Sequence, residues 1–212
     1  LKRSGIQHLD AVVVTHPDED HLGGLPTLLR EVSVGRVIHN GRSADTKLYE
    51  KSRRLMTQTE TPQRTVHRGD TLRLGPAVRA QVLGPPDDST GQPSDRNNAS
   101  VVLHLQYGDV DVLFPGDVES LAEQSLVRTY GHQLESRVTT VPHHGSPTSS
   151  IPAFVQAVAS KGGHAVVSVG RENQYGMPAP NVLSRWRSQR VDLHTTAQSG
   201  AVWMQTDGEV VW

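Results

Sequence analysis

Two histidines and three carboxylates lie within six residues near the start of the chain. They are His16, Asp18, Glu19, Asp20 and His21. Imidazole nitrogens mixed with carboxylate oxygens suit Zn²⁺, Mn²⁺ or iron, whereas Ca²⁺ and Mg²⁺ prefer oxygen ligands alone. His16 and Asp18 alternate in an extended segment and can point the same way, and Asp20 and His21 follow one turn later. The spacing therefore predicts a loop that supplies two pairs of ligands to two divalent ions.

A predicted strand precedes this loop and a predicted helix follows it, so the polar residues lie at the end of a strand. Residues 11–14 are consecutive apolar residues rich in valine, which predicts a buried strand, and a helix is predicted over 22–31. The pattern recurs where the predicted strand 110–114 ends before Asp117, and where the strand 136–141 ends before His143 and His144. Polar side chains at the carboxyl ends of strands are typical of α/β sites. Taken alone, Asp117 predicts the N-cap of a helix, here predicted over 119–130.

The other predicted elements follow from periodicity and turn signals. Residues 45–60 predict an exposed amphipathic helix with Asp45 as its N-cap. Gly69 and Asp70 predict a hairpin turn within 64–83, and residues 84–98, which include Asp87 and Asp88, predict a mobile loop. Further predictions are a strand at 36–39, a hairpin of 101–106 with 110–114, helices at 151–160 and 181–189, a strand at 164–169 and two or three closing strands within 191–212.

Composition limits the classes of protein to which the chain can belong. Its 212 residues, 35% apolar and 20% charged, are typical of one soluble globular domain, and no apolar run is long enough to span a membrane. The absence of cysteine excludes disulfides and thiolate metal sites. A formal net charge of −1 argues against a protein that coats nucleic acid, although a nuclease needs only a local basic track.

The string HPDEDHLGGL resembles the metal-binding signature HxHxDH of the metallo-β-lactamase superfamily, with aspartate in place of the second histidine. The variant is most similar to the C-terminal domains of ComEC/Rec2-type competence proteins. The later strings NNASVVLHLQYG (97–108), FPGD (114–117), VPHHGS (141–146) and VGRENQYG (169–176) occur in the same order as in that family. The resemblance covers nearly the whole chain. It implies an αβ/βα sandwich of two mixed sheets flanked by helices, here as a single domain over 1–212 that lacks its N-terminal strands.

The resemblance also implies roles for individual residues. It implies two divalent ions, Mn²⁺ or Zn²⁺. Asp20 and Asp117 are the expected catalytic carboxylates, and Asp117 is expected to bridge the two ions. The expected ligands are His16, Asp18, Asp20, His21, Asp117, His144 and, as a further ligand or a substrate contact, His143. Adjacent histidines project differently, so at most one of the last two is expected to bind a given ion directly.

Two departures from the superfamily pattern affect the expected substrate site. A third-motif histidine usually precedes the GD step, but this chain has Asn97, Asn98 and Ser100 there, so one ion is expected to be held less tightly. The family pattern YGHPHP reads YGMPAP at 175–180, without either histidine. The residues expected to contact substrate are Asn97, Ser100, Ser146, Asn173 and Tyr175. Ser100, Ser146 or Glu19, together with backbone carbonyls, are also expected to orient the imidazoles of the ligands.

The function that the resemblance implies is metal-dependent hydrolysis of phosphodiesters in single-stranded DNA during natural transformation. The implied setting is a soluble domain of a bacterial membrane protein on the extracytoplasmic side, monomeric in isolation, whose partners are the DNA strand and the membrane channel of the same protein. Lys47, Lys51, Arg53 and Arg54 could contact phosphates, or form a solvated helix face. The alternatives are a small-molecule hydrolase acting on a lactone, thioester or lactam, because the superfamily uses similar ligands for all of these, and a non-catalytic module that guides DNA.

Overall fold

The computed structural model describes residues 5–86 and 95–212. The strands are β1 (His8–Leu9), β2 (Val12–Val14), β3 (Ser33–Val34), β4 (Val37–His39), β5 (Gln63–Thr65), β6 (Thr71–Arg73), β7 (Arg79–Gly84), β8 (Val102–Tyr107), β9 (Val110–Phe114), β10 (Ser136–Thr140), β11 (Ala159–Val167) and β12 (Asp192–Thr195). The α-helices are α1 (Glu19–Leu22), α2 (Leu25–Glu31), α3 (Lys47–Gln58), α4 (Ser120–Tyr130), α5 (Pro152–Val158), α6 (Pro180–Ser188) and α7 (Thr196–Ser199). Single 3₁₀ turns cover Gly131–Leu134 and Pro142–Gly145.

Two main sheets carry the fold. The larger has the order β12-β11-β10-β9-β8-β7-β6 and is mixed, since β9 to β12 pair in parallel and β6 to β9 pair antiparallel. The smaller has the order β2-β4-β5, and a separate parallel pair joins β1 to β3. The smaller sheet is parallel throughout its described strands, which differs from the expectation of two mixed sheets. The predicted fold class, an α/β sandwich with helices on both outer faces, is confirmed.

Alternating side chains along the strands build three apolar layers. Val14 and Val37 face α1, α2 and α3, whereas Ile38, the next residue, packs between the sheets with Val82 and Leu103. On the far side of the larger sheet, its strands pack against α4, α5 and α6 through a cluster that includes the fully buried side chains of Phe154 and Trp186. Helices therefore cover both outer faces, and the strand ends are left open for a site.

Gly69 and Asp70 do not close a hairpin, which corrects the sequence prediction. The strand before them, β5, belongs to the smaller sheet, and β6 after them belongs to the larger sheet. The chain crosses between the two layers at this point, and Asp70 Oδ2 accepts the His67 amide at 2.9 Å within the crossing. A Gly-Asp turn has the same local chemistry in both settings. The hairpin of β8 with β9 around residues 108–109 is confirmed.

Several element ends differ from the predictions. The helix predicted over 22–31 is two helices, α1 and α2, and the N-cap of α3 is Thr46 instead of Asp45, with Thr46 Oγ1 accepting the Tyr49 amide at 3.1 Å. After β12 the chain forms the short helix α7 and one isolated bridge between Thr206 and Val211, so the described tail holds one strand and not two or three. The prediction for Asp87 and Asp88 lies outside the described residues. Among those described, no helix has the length and apolarity needed to cross a membrane.

Candidate metal centre

Three loops converge at one edge of the sandwich. They follow β2, β9 and β10, and two backbone hydrogen bonds tie the segments together: the Val101 amide donates to Thr15 O at 2.8 Å, and the His143 amide donates to Gly116 O at 3.2 Å. The strand-end clusters found in the sequence are therefore brought to a single place, although they come from both sheets.

Glycine is required at two points of this assembly. Gly116 has φ +63°, and a Cβ there would lie 2.9 Å from Ser100 Cβ. Gly145 has φ +81°, and a Cβ there would lie 2.6 Å from Pro178 Cβ. Both positions combine a left-handed backbone with close packing, which only glycine accommodates without strain. The first allows the turn that delivers Asp117, and the second follows the two adjacent histidines.

Four side chains offer ligand atoms that all lie within 4.8 Å of one another: Asp20, His21, Asp117 and His144. We call this set the four-ligand cluster. His21 Nε2 lies 3.1 Å from Asp117 Oδ2, and His144 Nε2 lies 3.5 Å from the same oxygen and 3.2 Å from Asp20 Oδ2. Asp117 is the central and most buried member, with a side chain only 6% exposed, whereas Asp20 lies at the open side. Two imidazoles and two carboxylates form a donor set suited to Zn²⁺ or Mn²⁺.

The Nδ1 atoms of the imidazoles contact other groups of the protein. His144 Nδ1 donates to the Ser168 carbonyl at 2.6 Å, and the Nε2 of the same ring faces Asp20 and Asp117. Thr15 Oγ1 lies 3.1 Å from His16 Nδ1 and 3.0 Å from His21 Nδ1, and its two lone pairs can accept both N–H groups. Such contacts set the tautomer and ring orientation of metal-binding histidines.

The residues fit a bound cation in a second respect. His21 Nε2 is buried without a hydrogen-bond partner in the described chain, because the approach of Asp117 Oδ2 at 3.1 Å does not have hydrogen-bond alignment. His144 Nε2 differs, since it lies within hydrogen-bond distance of Asp20 Oδ2 at 3.2 Å. Buried polar atoms ordinarily find partners. A cation among these atoms would satisfy them together, so the donor set fits a divalent metal.

The charges of the cluster shift its acid–base behaviour. Burial by itself would lower the pKa of His21, but contact with the Asp117 carboxylate outweighs burial and raises that pKa above its usual value. Burial would raise the pKa of Asp117, and contact with His21 instead lowers it. His16 differs: burial, together with the nearby His21, lowers its pKa to about 4. His16 is therefore neutral at neutral pH, and its imidazole is available as a ligand without losing a proton.

His16 and Asp18 lie beside the four-ligand cluster, and we call them the His16–Asp18 pair. His16 is 1% exposed, and its Nδ1 contacts the hydroxyls of Thr15 and Ser100, the latter at 3.3 Å. This leaves Nε2 facing Asp18 Oδ2 at 3.9 Å. The other oxygen of Asp18, Oδ1, forms an ion pair with Arg96 Nη1 at 2.9 Å. In the described part of the chain this pair does not form a closed set of three or more ligands.

The two adjacent histidines are used differently. Both have a left-handed backbone, His143 with φ +47° and His144 with φ +54°, a conformation that costs about 1–3 kcal/mol each in non-glycine residues and persists mostly at functional sites. His144 enters the four-ligand cluster. His143 Nδ1 instead lies 3.0 Å from Glu119 Oε1, and its Nε2 is 3.9 Å from Asp117 Oδ2. The structure thus brings one of the two histidines into the cluster and leaves the other at its edge.

Comparison with known proteins identifies the family. The model of the metallo-β-lactamase superfamily matches residues 1–168. The chain belongs to the metallo-β-lactamase superfamily. It is 32% identical over 203 residues to ComE operon protein 3 of Bacillus subtilis (strain 168) and 33% identical over 204 residues to competence protein ComA of Neisseria gonorrhoeae. Each match covers 95% of this chain but only 25% and 26% of those proteins, so the chain spans about a quarter of their length.

A solved structure of the same fold is CmlA, a diiron β-hydroxylase from Streptomyces venezuelae. It matches 89% of this chain and 44% of its own, with a TM-score of 0.59 and 16% sequence identity. At that identity the likeness concerns the fold alone.

The expected substrate residues are placed unevenly around the centre. Ser100 and Ser146 are buried, 0% and 3% exposed, and both hydroxyls contact other groups of the protein. Ser100 Oγ contacts His16 and accepts the Asp117 amide at 3.1 Å, whereas Ser146 Oγ contacts the Thr148 hydroxyl at 2.8 Å. The Asn173 side chain bonds both backbone groups of Met177 and so holds its own loop closed. Tyr175 is 73% exposed and remains accessible.

Asn98, which lies where the superfamily usually has its third-motif histidine, has a structural role in this chain. Its Oδ1 accepts the amides of Glu119 and Ala122 at 3.0 and 3.1 Å and so caps α4 from a distant segment. That cap is the role that the sequence alone also allowed for Asp117, which instead joins the cluster. Asn97, expected to contact substrate, donates its amide to Asp95 Oδ1 at 2.9 Å in the same turn.

Three contributors to the centre were not predicted: Thr15, Glu119 and Arg96. Thr15 directly precedes the first histidine, and its position at the strand end was the available signal. Glu119 also accepts the Thr148 hydroxyl at 2.7 Å, and a pairing with a histidine 24 residues later has no local signature. Glu19, expected among the groups that orient the imidazoles, is exposed at the start of α1.

Proposed function

We propose that this chain is a metal-dependent phosphodiesterase that hydrolyses single-stranded DNA. The observation that carries the proposal is the four-ligand cluster of Asp20, His21, Asp117 and His144, held within 4.8 Å at the strand ends of a metallo-β-lactamase fold. The choice of DNA is supported by the competence proteins of B. subtilis and N. gonorrhoeae that the chain resembles over 95% of its length.

Two unequal metal positions follow from the donor atoms. The four-ligand cluster would hold the first ion, with the His144 ring fixed by Ser168 and the His21 ring by Thr15. His16 Nε2 and Asp18 Oδ2 would hold the second, with Asp117 shared between the two. The second position is weaker because it has fewer protein ligands and because Asp18 is also paired with Arg96.

Divalent ions bound there would activate water as the nucleophile and stabilise charge on the phosphate oxygens during an in-line displacement. The protein's own contribution is to keep the ligands in place. Thr15 and Ser168 hold the Nδ1 sides of the rings, so the Nε2 atoms point inward before any ion arrives. The Asp117 amide is held by Ser100 Oγ, which fixes the carboxylate that contacts both histidines of the cluster. Preorganisation of this kind avoids rearrangement during the reaction.

The setting that we propose is the DNA-uptake apparatus. The chain would act as an extracytoplasmic domain of a larger membrane protein, receive a strand from the channel of that protein, and be monomeric in isolation. Its nearly neutral net charge of −1 fits a domain that is handed its substrate and does not capture it from dilute solution.

Cleavage assays on the purified chain test the proposal. A labelled single strand should be cut with Mn²⁺ or Zn²⁺, spared after chelation, and spared by Asp117→Asn, while an equivalent duplex is cut more slowly. If the strand stays intact while a lactone, thioester or lactam is hydrolysed with the same metal dependence, the small-molecule alternative replaces this proposal. If metal binds and the strand binds but neither is turned over, the chain is a DNA-guiding module.

A further inference from the structure

One cation is in direct contact with a centre that is otherwise rich in carboxylates. Asp18, Asp20, Asp117 and Glu119 all contact the histidines of the site, and Glu19 lies beside them in the chain. Within residues 5–86 and 95–212, the single lysine or arginine found in an ion pair with any of these groups is Arg96, which contacts Asp18 Oδ1 at 2.9 Å. A polyanionic substrate approaching these carboxylates would be repelled unless cations met its phosphates.

The turn that carries Arg96 is fixed to the rest of the site. Asp95 accepts the Asn97 amide at 2.9 Å and the Asn98 side-chain amide at 2.6 Å, and the Ala99 amide donates to Arg96 O at 3.2 Å. From the other side, Asn40 Nδ2 donates to Ala99 O at 2.9 Å. Because Asn98 also caps α4, the turn is tied both to that helix and to the loop after β4. Arg96 is therefore presented from an anchored backbone.

Among the side chains of residues 5–86 and 95–212, Arg96 forms its ion pair with Asp18, and half of its own side chain faces solvent. Its guanidinium has five N–H donors in a planar fork, and its side chain is 49% exposed while it contacts Asp18 through Nη1. A fork of this kind matches phosphate oxygens. Asp18 is itself 31% exposed, so the pair lies at the open side of the centre, where a strand would enter.

The basic helix expected to meet the phosphates is less well placed. The face of α3 with Tyr49, Ser52 and Met56 lines a small cavity with Pro17 of the metal loop. Lys47, Lys51 and Arg54 line a different groove, with Arg30 of α2. Arg53 contacts Glu50 at 3.7 Å on the same helix. These cations are not among the side chains in contact with the four-ligand cluster.

We propose that Arg96 is a substrate-binding residue that contacts a phosphate of a single-stranded nucleic acid at the mouth of the metal centre. The anchored turn presents the guanidinium, one nitrogen of which lies against Asp18, and its other N–H donors bind the phosphate. The inference rests on the proposed function, since it deepens the description of the same site.

Binding without turnover tests it. Fluorescein-labelled oligothymidine is titrated with the purified chain in EDTA over a range of salt concentrations, so neither cleavage nor metal loading contributes. The variants are Arg96→Gln, Arg96→Lys and Asp18→Asn, with Arg128→Gln as a matched control that removes an exposed arginine from the last turn of α4. The double variant Lys51→Gln with Arg54→Gln tests the basic helix in the same assay.

Arg96→Gln should weaken binding about tenfold and reduce the slope of log affinity against log salt by about 0.7, the value for one phosphate contact on a single strand. Arg96→Lys should keep the slope but lose part of the affinity, because it keeps the charge and loses the fork. Asp18→Asn should bind at least as well as the unmodified chain, because it removes a negative charge and leaves Arg96. A loss in Asp18→Asn equal to that in Arg96→Gln would mean that Arg96 acts only through Asp18.

Failure of this inference and failure of the proposed function give different results. If the unmodified chain binds and Arg96→Gln binds as Arg128→Gln does, Arg96 is not a phosphate ligand and the proposed function is unaffected. If Lys51→Gln with Arg54→Gln alone flattens the slope, the helix and not Arg96 meets the strand. If the unmodified chain shows no affinity for the oligonucleotide at any salt concentration, the DNA substrate itself is wrong, and Arg96 loses its proposed ligand with it.

Discussion

The two halves of the metal centre are built to different degrees. In the four-ligand cluster, the four side chains come from three loops, yet their ligand atoms already lie within 4.8 Å of one another. The His16–Asp18 pair is local in sequence, but its facing atoms are 3.9 Å apart and one oxygen of Asp18 is paired with Arg96. Nearness in sequence therefore did not produce the more complete site. Convergence of strand ends from two sheets did.

The four-ligand cluster and the His16–Asp18 pair suit ions that are held with different strength. The four-ligand cluster brings four possible ligand atoms within 4.8 Å of one another, which suits a cation held tightly by the protein. The His16–Asp18 pair combines a neutral imidazole with a carboxylate that faces both a ring and a guanidinium, which suits a weaker ion next to the substrate. Asp117 lies where the halves meet and contacts His21, His144 and, at 3.9 Å, His143.

The largest expected effect comes from Asp117→Asn, which removes the negative charge of the carboxylate that both metal positions would share. Loss of a residue that only hydrogen-bonds to a metal ligand typically lowers activity roughly 10–100-fold. Asp117→Asn should lower kcat/KM for strand cleavage by more than this. His143→Ala should stay within that range, because His143 contacts Glu119 and lies at the edge of the cluster. Steady-state kinetics on both variants make the comparison. Equal losses, or a greater loss in His143→Ala, would mean that Asp117 is not the shared ligand.

A smaller effect is expected at Thr15, whose hydroxyl contacts the rings of both halves. Thr15→Val keeps the shape and removes the acceptor for two Nδ1–H groups, so metal affinity should fall about 10–100-fold. Thr15→Ser keeps the hydroxyl and serves as the matched control. Calorimetric titration with Mn²⁺ measures both. Unchanged affinity in Thr15→Val would show that the rings are oriented by other contacts.

The smallest effect is a difference in pH response between the halves. Metal binding requires neutral imidazole, so protons compete with the ion below the pKa of each ring. The pKa of His21 is raised by Asp117, whereas burial lowers that of His16 to about 4. As pH falls from 8 to 5, His21 should become protonated first, with a loss of about tenfold in metal affinity per pH unit below its pKa. Nuclear magnetic resonance of the ring protons in metal-free protein would read both titrations. His16 becoming protonated before His21 would reverse the assignment.

The sequence was sufficient for the positions of the candidate metal-binding side chains relative to the strands. Val12–Val14 and Val110–Phe114 are recognisable as strands, and each is followed by a carboxylate-bearing turn. The pairing of His144 with the first loop could be expected from the resemblance and from the common strand-end position. The layered sandwich was expected from the resemblance, and in the structure apolar residues alternate between the two faces of β2, β4, β7 and β8.

The contacts that turn the ligands inward could not be predicted in the same way. Arg96 and Asp18 are 78 residues apart in the sequence, and a Ser, Thr or Asn in a turn has the same local signature whether its hydroxyl or amide supports a ligand, caps a helix or meets a substrate. For this reason the sequence left Ser100 with two possible roles, and it did not predict that Asn98 caps α4. Gly69 and Asp70 were interpreted as a hairpin because turn chemistry does not specify which sheet receives the next strand.

The central claim is tested most directly by measuring how many metal ions bind and which position binds its ion more tightly. Metal-free protein is titrated with Mn²⁺ and with Zn²⁺ by calorimetry, in the unmodified chain and in His21→Ala and His16→Ala, with elemental analysis of each variant as isolated. Two positions of unequal affinity are expected, with the tighter one lost in His21→Ala and kept in His16→Ala. Two equal positions, or loss of the tighter one in His16→Ala with His21→Ala unaffected, would contradict the assignment of the four-ligand cluster as the principal metal site.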